Sequence, residues 1–102
     1  MFMKSFRVDG KGGARRKVEY TCVFSKGVSY QVHITSREGQ SRGIVGTLYN
    51  PDRRKLASNF YEGRFFQTIQ YDCRATGIYY LAFTFRESES FCGGAILSFK
   101  RL

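Results

Sequence analysis

Residues 65–85, FFQTIQYDCRATGIYYLAFTF, decide how this chain must fold. Ile69, Tyr71 and Cys73 recur at every second position, and after an interruption Tyr79, Leu81, Phe83 and Phe85 do the same. A two-residue period belongs to an extended strand with one buried face; a helix would repeat its apolar residues every three or four. Arg74-Ala75-Thr76-Gly77 separates the two runs and reads as a tight turn. The stretch is therefore expected to form two long strands joined as a hairpin, with Gly77 at a positive φ that Ala would not tolerate.

The same alternation runs outward toward the N-terminus. Lys4 to Asp9 reads as a short strand carrying Phe6 and Val8, followed by the loop Gly10-Lys11-Gly12-Gly13. That loop is not a phosphate cradle, because no Gly-Lys-Ser/Thr opens a helix after it. Val18 to Phe24 gives a second strand with Tyr20, Cys22 and Phe24 inward, closed by Lys26-Gly27. Val28 to Thr35 alternates most cleanly of all, which places His33 on the solvent face. Beyond the polar loop Ser36 to Arg42, Gly43 to Tyr49 is apolar on both faces and is expected in a central position. Asn50-Pro51-Asp52 is a turn, since Pro presets φ and Asn and Asp bond their own backbone. Leu56 to Tyr61 follows as an edge strand, and Arg53-Arg54-Lys55 before it discourages pairing with another chain.

Toward the C-terminus, Arg86 to Ser90 is a charged loop and Phe91 to Lys100 a final strand. Gly93-Gly94 inside that apolar run predicts a bulge or a close backbone approach; a bulge would reverse the face of Cys92 and turn it toward Cys73. No segment carries a sustained helical period with caps, and there are no internal repeats. Seven or eight short strands separated by turn signals define an all-β protein, an antiparallel β-sandwich of jelly-roll type, with residues 1–102 as one domain.

Composition narrows the function classes. Aromatic residues make up 17% of the 102 residues and Trp is missing, so Phe and Tyr must supply most of the large buried surface. The net charge of +9 attracts nucleic acid, anionic lipid or acidic glycan without choosing among them. No apolar run approaches the roughly 18 residues that a membrane-spanning helix needs. Met1-Phe2-Met3-Lys4 precedes no apolar block, which leaves a cytoplasmic protein or one whose targeting segment has been cut off. Cys22, Cys73 and Cys92 fit no zinc spacing; they allow one disulfide with a cysteine left over, or three buried thiols. His33, the only histidine, has Ser29 and Thr35 nearby but no third group to orient it. With no nucleophile elbow, carboxylate pair, metal spacing or cofactor fingerprint, the reading is a protein that is not an enzyme and takes no cofactor.

Several short runs resemble the bacterial pre-peptidase C-terminal domain over residues 18–85. They are Phe24-Ser25-Lys26-Gly27-Val28-Ser29-Tyr30, Thr47-Leu48-Tyr49, Leu56-Ala57-Ser58-Asn59 and Ala75-Thr76-Gly77-Ile78-Tyr79-Tyr80-Leu81. The tail Cys92-Gly93-Gly94-Ala95-Ile96-Leu97-Ser98-Phe99 is similar to small exported Bacteroidetes proteins of unassigned activity. The resemblance implies a small β-sandwich on a periplasmic or extracellular protein, binding carbohydrate or protein, with its export signal removed. It also implies a Cys73–Cys92 disulfide with Cys22 as a buried thiol. The acidic residues that hold calcium in some members have no counterpart here, so metal binding is not carried over.

Two functions follow as expectations. The first is a non-catalytic exported sandwich that binds a glycan or protein partner through exposed aromatic and basic residues, with Tyr49, Tyr61, Tyr79, Arg53, Arg54 and Lys55 as candidates. The second is single-stranded nucleic-acid binding, with Lys11, Arg15, Arg16, Lys17, Arg53, Arg54 and Lys55 on phosphates and aromatics stacked on bases.

Overall fold

A computed structural model describes residues 2–9, 17–36, 43–85 and 92–101. The expected loops at 10–13, 37–42 and 86–90, and with them Lys11, Arg15 and Arg16, lie outside the described residues. Ten strands follow one another: β1 (Phe2–Asp9), β2 (Lys17–Phe24), β3 (Val28–Ser36), β4 (Ile44–Tyr49), β5 (Lys55–Ser58), β6 (Phe60–Tyr61), β7 (Arg64–Phe65), β8 (Thr68–Asp72), β9 (Gly77–Phe85) and β10 (Cys92–Arg101).

Eight of them form two antiparallel four-stranded sheets. The first sheet has the order β1-β10-β3-β8 and the second β2-β9-β4-β5, while β6 and β7 pair as a separate ribbon. Each of the first four strands lies in the sheet opposite its predecessor, and the same holds for β8 to β10; this is the interleaving of a jelly roll. β4 lies between β9 and β5, and β5 is an edge, as the sequence predicts.

Alternation places the core. The first sheet turns Phe6, Val8, Tyr30, Val32, Ile34 and Ile69 inward, and the second answers with Val18, Phe24, Ile44, Leu48, Tyr79, Leu81 and Phe83, all buried. Leu81 and Phe83 are completely buried, so the two-residue period of residues 79–85 faces the interior as read. His33 is exposed on the outer face of β3.

Three expectations need correction. The stretch 65–85 is not a hairpin: β8 belongs to the first sheet and β9 to the second, so residues 73–76 arch across the sandwich. Both runs are apolar on one face because those faces meet each other across the core, a relation that leaves the same period as cross-strand pairing. Gly77 accordingly has no positive φ; among the described residues the glycines that do are Gly27, Gly43 and Gly63, and Gly77 merely lies close to Pro51. Finally, β10 pairs from Cys92 to Phe99 with β1 without a register shift, so Gly93-Gly94 forms no bulge.

The predicted strand from Leu56 to Tyr61 is broken at Asn59, which is fully buried. Its side-chain Oδ1 accepts from Gly46 N at 2.7 Å, and its Nδ2 donates to Ile44 O at 2.9 Å and Phe66 O at 3.1 Å. Its backbone N–H donates to Gly46 O, and its carbonyl accepts from Phe66 N. Asn59 thus satisfies the backbone where β5 leaves the sheet, as a buried chain reversal requires. The ribbon beyond it closes through Glu62 and Gly63 with φ of 50° and 77°, the positive values of a two-residue hairpin turn.

Candidate binding surface

The outer face of the second sheet gathers the side chains with the most to offer a partner. Register sets Tyr49 and Thr21 on either side of Tyr80, and sets Val23 beside Ile78 one pair further along. Val23 is 73% exposed and Ile78 49%, so the lower part of this face is apolar and open to water.

Arg53 reaches over the face from the turn between β4 and β5. Asn50 builds that turn: its carbonyl accepts from Arg53 N at 2.8 Å, and its Oδ1 accepts from Arg54 N at 2.8 Å. Arg53 adopts a φ of 61°, which costs energy for a residue with a Cβ. Its guanidinium lies 4.0 Å from the Tyr80 ring centroid and donates to both Glu19 oxygens, at 3.2 and 3.4 Å. Lys17 Nζ approaches the same carboxylate at 3.1 Å. Hydrogen bonds from Lys17 and then Arg53 hold the Glu19 carboxyl below its ordinary pKa, and Glu19 in turn raises that of Arg53. The result is a fixed planar cation on an aromatic ring, with its long side chain already ordered.

The predicted candidates divide. Tyr49 and Arg53 come together, with Lys55 opposite Tyr49 in the β4–β5 ladder and Arg54 exposed in the turn. Tyr61 is exposed but sits on the β6–β7 ribbon, carried away from this face beyond Asn59. Tyr79 is not available to a ligand: it is 2% exposed, stacks on Phe24, and donates from its hydroxyl to Ala75 O. Burial, reinforced by hydrogen bonds with Cys73 and Tyr71, pushes its phenol well above the ordinary pKa. Tyr80, Val23 and Ile78 were the missed members of the surface. Strict alternation contained the signal, for if Tyr79 faces in, Tyr80 and Ile78 must face out.

The implied Cys73–Cys92 disulfide is absent: Cys73 is a buried free thiol with hydrogen bonds to Ala75 O and Tyr79 Oη. Cys73 is hydrogen-bonded to Val28, and Val28 pairs with Arg101 at the far end of β10 from Cys92. Nine strand residues span about 30 Å, whereas a disulfide needs Cα atoms within about 7 Å. Cys22 is buried and free, as expected.

Among the described residues no three His, Cys, Asp or Glu side chains lie close enough to hold a metal ion, and no helix is long and apolar enough to cross a membrane. The outer face of the first sheet carries a shallow polar depression of about 200 Å³ between Ser29, Gln31, Gln70, Ser98 and Lys100. The outer face of the second sheet sets tyrosine, arginine and aliphatic groups side by side.

No protein-family model matches the chain, and no curated protein does. Among solved structures, it is similar to PliG of Aeromonas hydrophila, a periplasmic inhibitor of g-type lysozyme. The TM-score is 0.59 at 16% identity, with 97% of this chain and 83% of that one covered. It is equally similar to the pre-peptidase C-terminal domain of a Bacillus anthracis collagenase, with TM-score 0.59, 16% identity, and 97% and 88% covered. The chain therefore has the fold of a pre-peptidase C-terminal domain, as the sequence resemblance implies. One of these neighbours is an inhibitor of an enzyme and the other a domain of one.

Proposed function

We propose that this chain is a non-catalytic, exported β-sandwich module that binds a protein partner through the outer face of its second sheet. The observation that carries the reading is the arrangement of Arg53 on Tyr80 beside Tyr49, next to exposed Val23 and Ile78. Tyrosine and arginine are enriched where binding energy concentrates in protein interfaces, and an arginine already held in place loses little entropy on docking. One neighbour of the fold supports the assignment: it is a periplasmic protein that inhibits another protein, which also favours export. The excess of positive charge suits a partner with an acidic surface and speeds encounter with it.

The test is an interaction screen of the pure protein against the exported proteins of its source organism, with g-type lysozyme included. It is repeated with an Arg53→Ala, Tyr80→Ala variant. A protein bound by the wild type and weakened at least about tenfold by the double substitution supports the reading. Partners bound equally by both would move the interface elsewhere. Salt-sensitive retention on single-stranded oligothymidylate would favour the nucleic-acid alternative, and retention on heparin alone an acidic glycan.

A further inference from the structure

The two sheets do not meet evenly along the side where β1 faces β2. At one end the gap is shut by Tyr20, whose ring packs on Phe6 at 4.8 Å between centroids and whose hydroxyl donates to Arg7 O. Toward the C-terminal end of β2 the sheets part, leaving a groove of about 550 Å³. That is within the range of roughly 300–1,000 Å³ of small-molecule sites.

The floor of the groove is aromatic and aliphatic. Phe24 and Tyr30 stack with centroids 3.8 Å apart, Phe99 tilts against Tyr30 at 5.8 Å, and Leu97 lies beside them. Tyr30 has its hydroxyl occupied by Ser25 N–H at 2.8 Å, so its polar tip is turned to the backbone rather than offered to a ligand. Cys22 lines the wall, its thiol pushed up by burial, and Lys4 lines the same cavity.

The rim is cationic. Lys4 and Arg101 both line the groove, both are exposed, and no Asp or Glu lines it with them. Among the described residues neither cation has a carboxylate partner. An apolar floor with positive charge at its mouth selects one chemistry: an amphiphile with an aliphatic body and an anionic head.

We propose that this groove is a binding site for a single long-chain carboxylate, its hydrocarbon tail on the Phe24–Tyr30–Phe99 floor and its head at the Lys4 and Arg101 rim. Charge complementarity favours this occupant over a neutral apolar side chain from a protein partner or a second copy of the chain, since neither would pair with a cation of the rim. The site is separate from the Tyr80 face and does not depend on the function proposed for it.

Dodecanoate below its micellar concentration is the probe, with methyl dodecanoate as its uncharged counterpart, titrated by calorimetry against the wild-type protein and a Lys4→Gln, Arg101→Gln variant. Both substitutions are at exposed positions and leave the core intact. Saturable one-to-one binding of dodecanoate, at least about tenfold tighter than the ester, is expected in the wild type, with the preference lost in the variant. Alkylation of Cys22, located by peptide mass spectrometry, should slow at least about tenfold in saturating dodecanoate. Absence of saturable binding, equal affinity for acid and ester, or unchanged Cys22 alkylation would each overturn the proposal.

Discussion

Asn59 shows how much one polar side chain can carry in an all-β core. Replacing it with Ala leaves Gly46 N–H without its side-chain acceptor, and Ile44 O and Phe66 O without their donor, the first two at positions closed to water. Each orphaned buried group costs about 1–3 kcal/mol. Asn59→Ala is therefore expected to lose about 3 kcal/mol, read as a lowered midpoint in urea at unchanged slope. Tyr79 makes a second residue-scale case, this time dependent on pH. Its pKa in the folded protein is raised, so its contribution is present in full below the unfolded phenol value of about 10 and is lost as pH climbs from there through the folded value. Tyr79→Phe should cost about 1 kcal/mol at neutral pH, and the gap from wild type should narrow above pH of about 10. A constant gap across that range would mean that the hydroxyl does not stay protonated in the fold.

Among the elements, β4 is the tightest fit. Gly46 faces the core, and a Cβ added there would stand 2.6 Å from Ile34 Cδ1, 3.3 Å from Phe83 Cε1 and 3.4 Å from Ile69 Cδ1. Ile34 and Phe83 are themselves fully buried. Gly46→Ala is expected to destabilise by about 1–3 kcal/mol through overpacking; a thermal midpoint equal to wild type would show that the sheets can separate locally. The glycine is what allows strands of opposite sheets to press side chains this closely. The adjoining strands also show what alternation can and cannot report. It assigned the inward residues of β2, β3 and β9, because the period of a strand is a local property of the backbone. It could not say whether residues 68–72 and 77–85 pair with each other or face each other, since both arrangements bury every second residue. For that reason Arg74-Ala75-Thr76-Gly77 reads as a hairpin turn in the sequence, although it crosses between the sheets. Asn59 escaped notice on similar grounds, because its three side-chain partners lie 7 to 15 residues away and are brought to it only by the fold.

For the molecule as a whole, sheet pairing decides the chemistry of the cysteines. Cys73 and Cys92 belong to opposite ends of the first sheet, so all 3 thiols should react with a thiol reagent after denaturation without reductant. A single reactive thiol would mean a bridge and a different register for β10. The surface was partly legible: Tyr49 and Arg53 stood out by type and by the turn that carries Arg53, whereas Tyr80 and its apolar neighbours emerge only once β2, β9 and β4 lie side by side. Fold class was readable because apolar residues recur at alternate positions in run after run, as in 18–24, 28–35 and 79–85, which leaves little choice of layer architecture.

β10 is placed between β1 and β3, so the tenth of these strands is the one that joins the first to the third. Until β10 has emerged, β1 has no hydrogen-bonding neighbour among the described strands and the inner flank of β3 is bare, both of them open to pairing with other nascent polypeptides. Such a protein cannot settle domain-piece by domain-piece during translation. The first sheet must wait for β10, which makes the interval before that strand emerges the period in which a chaperone has most to protect.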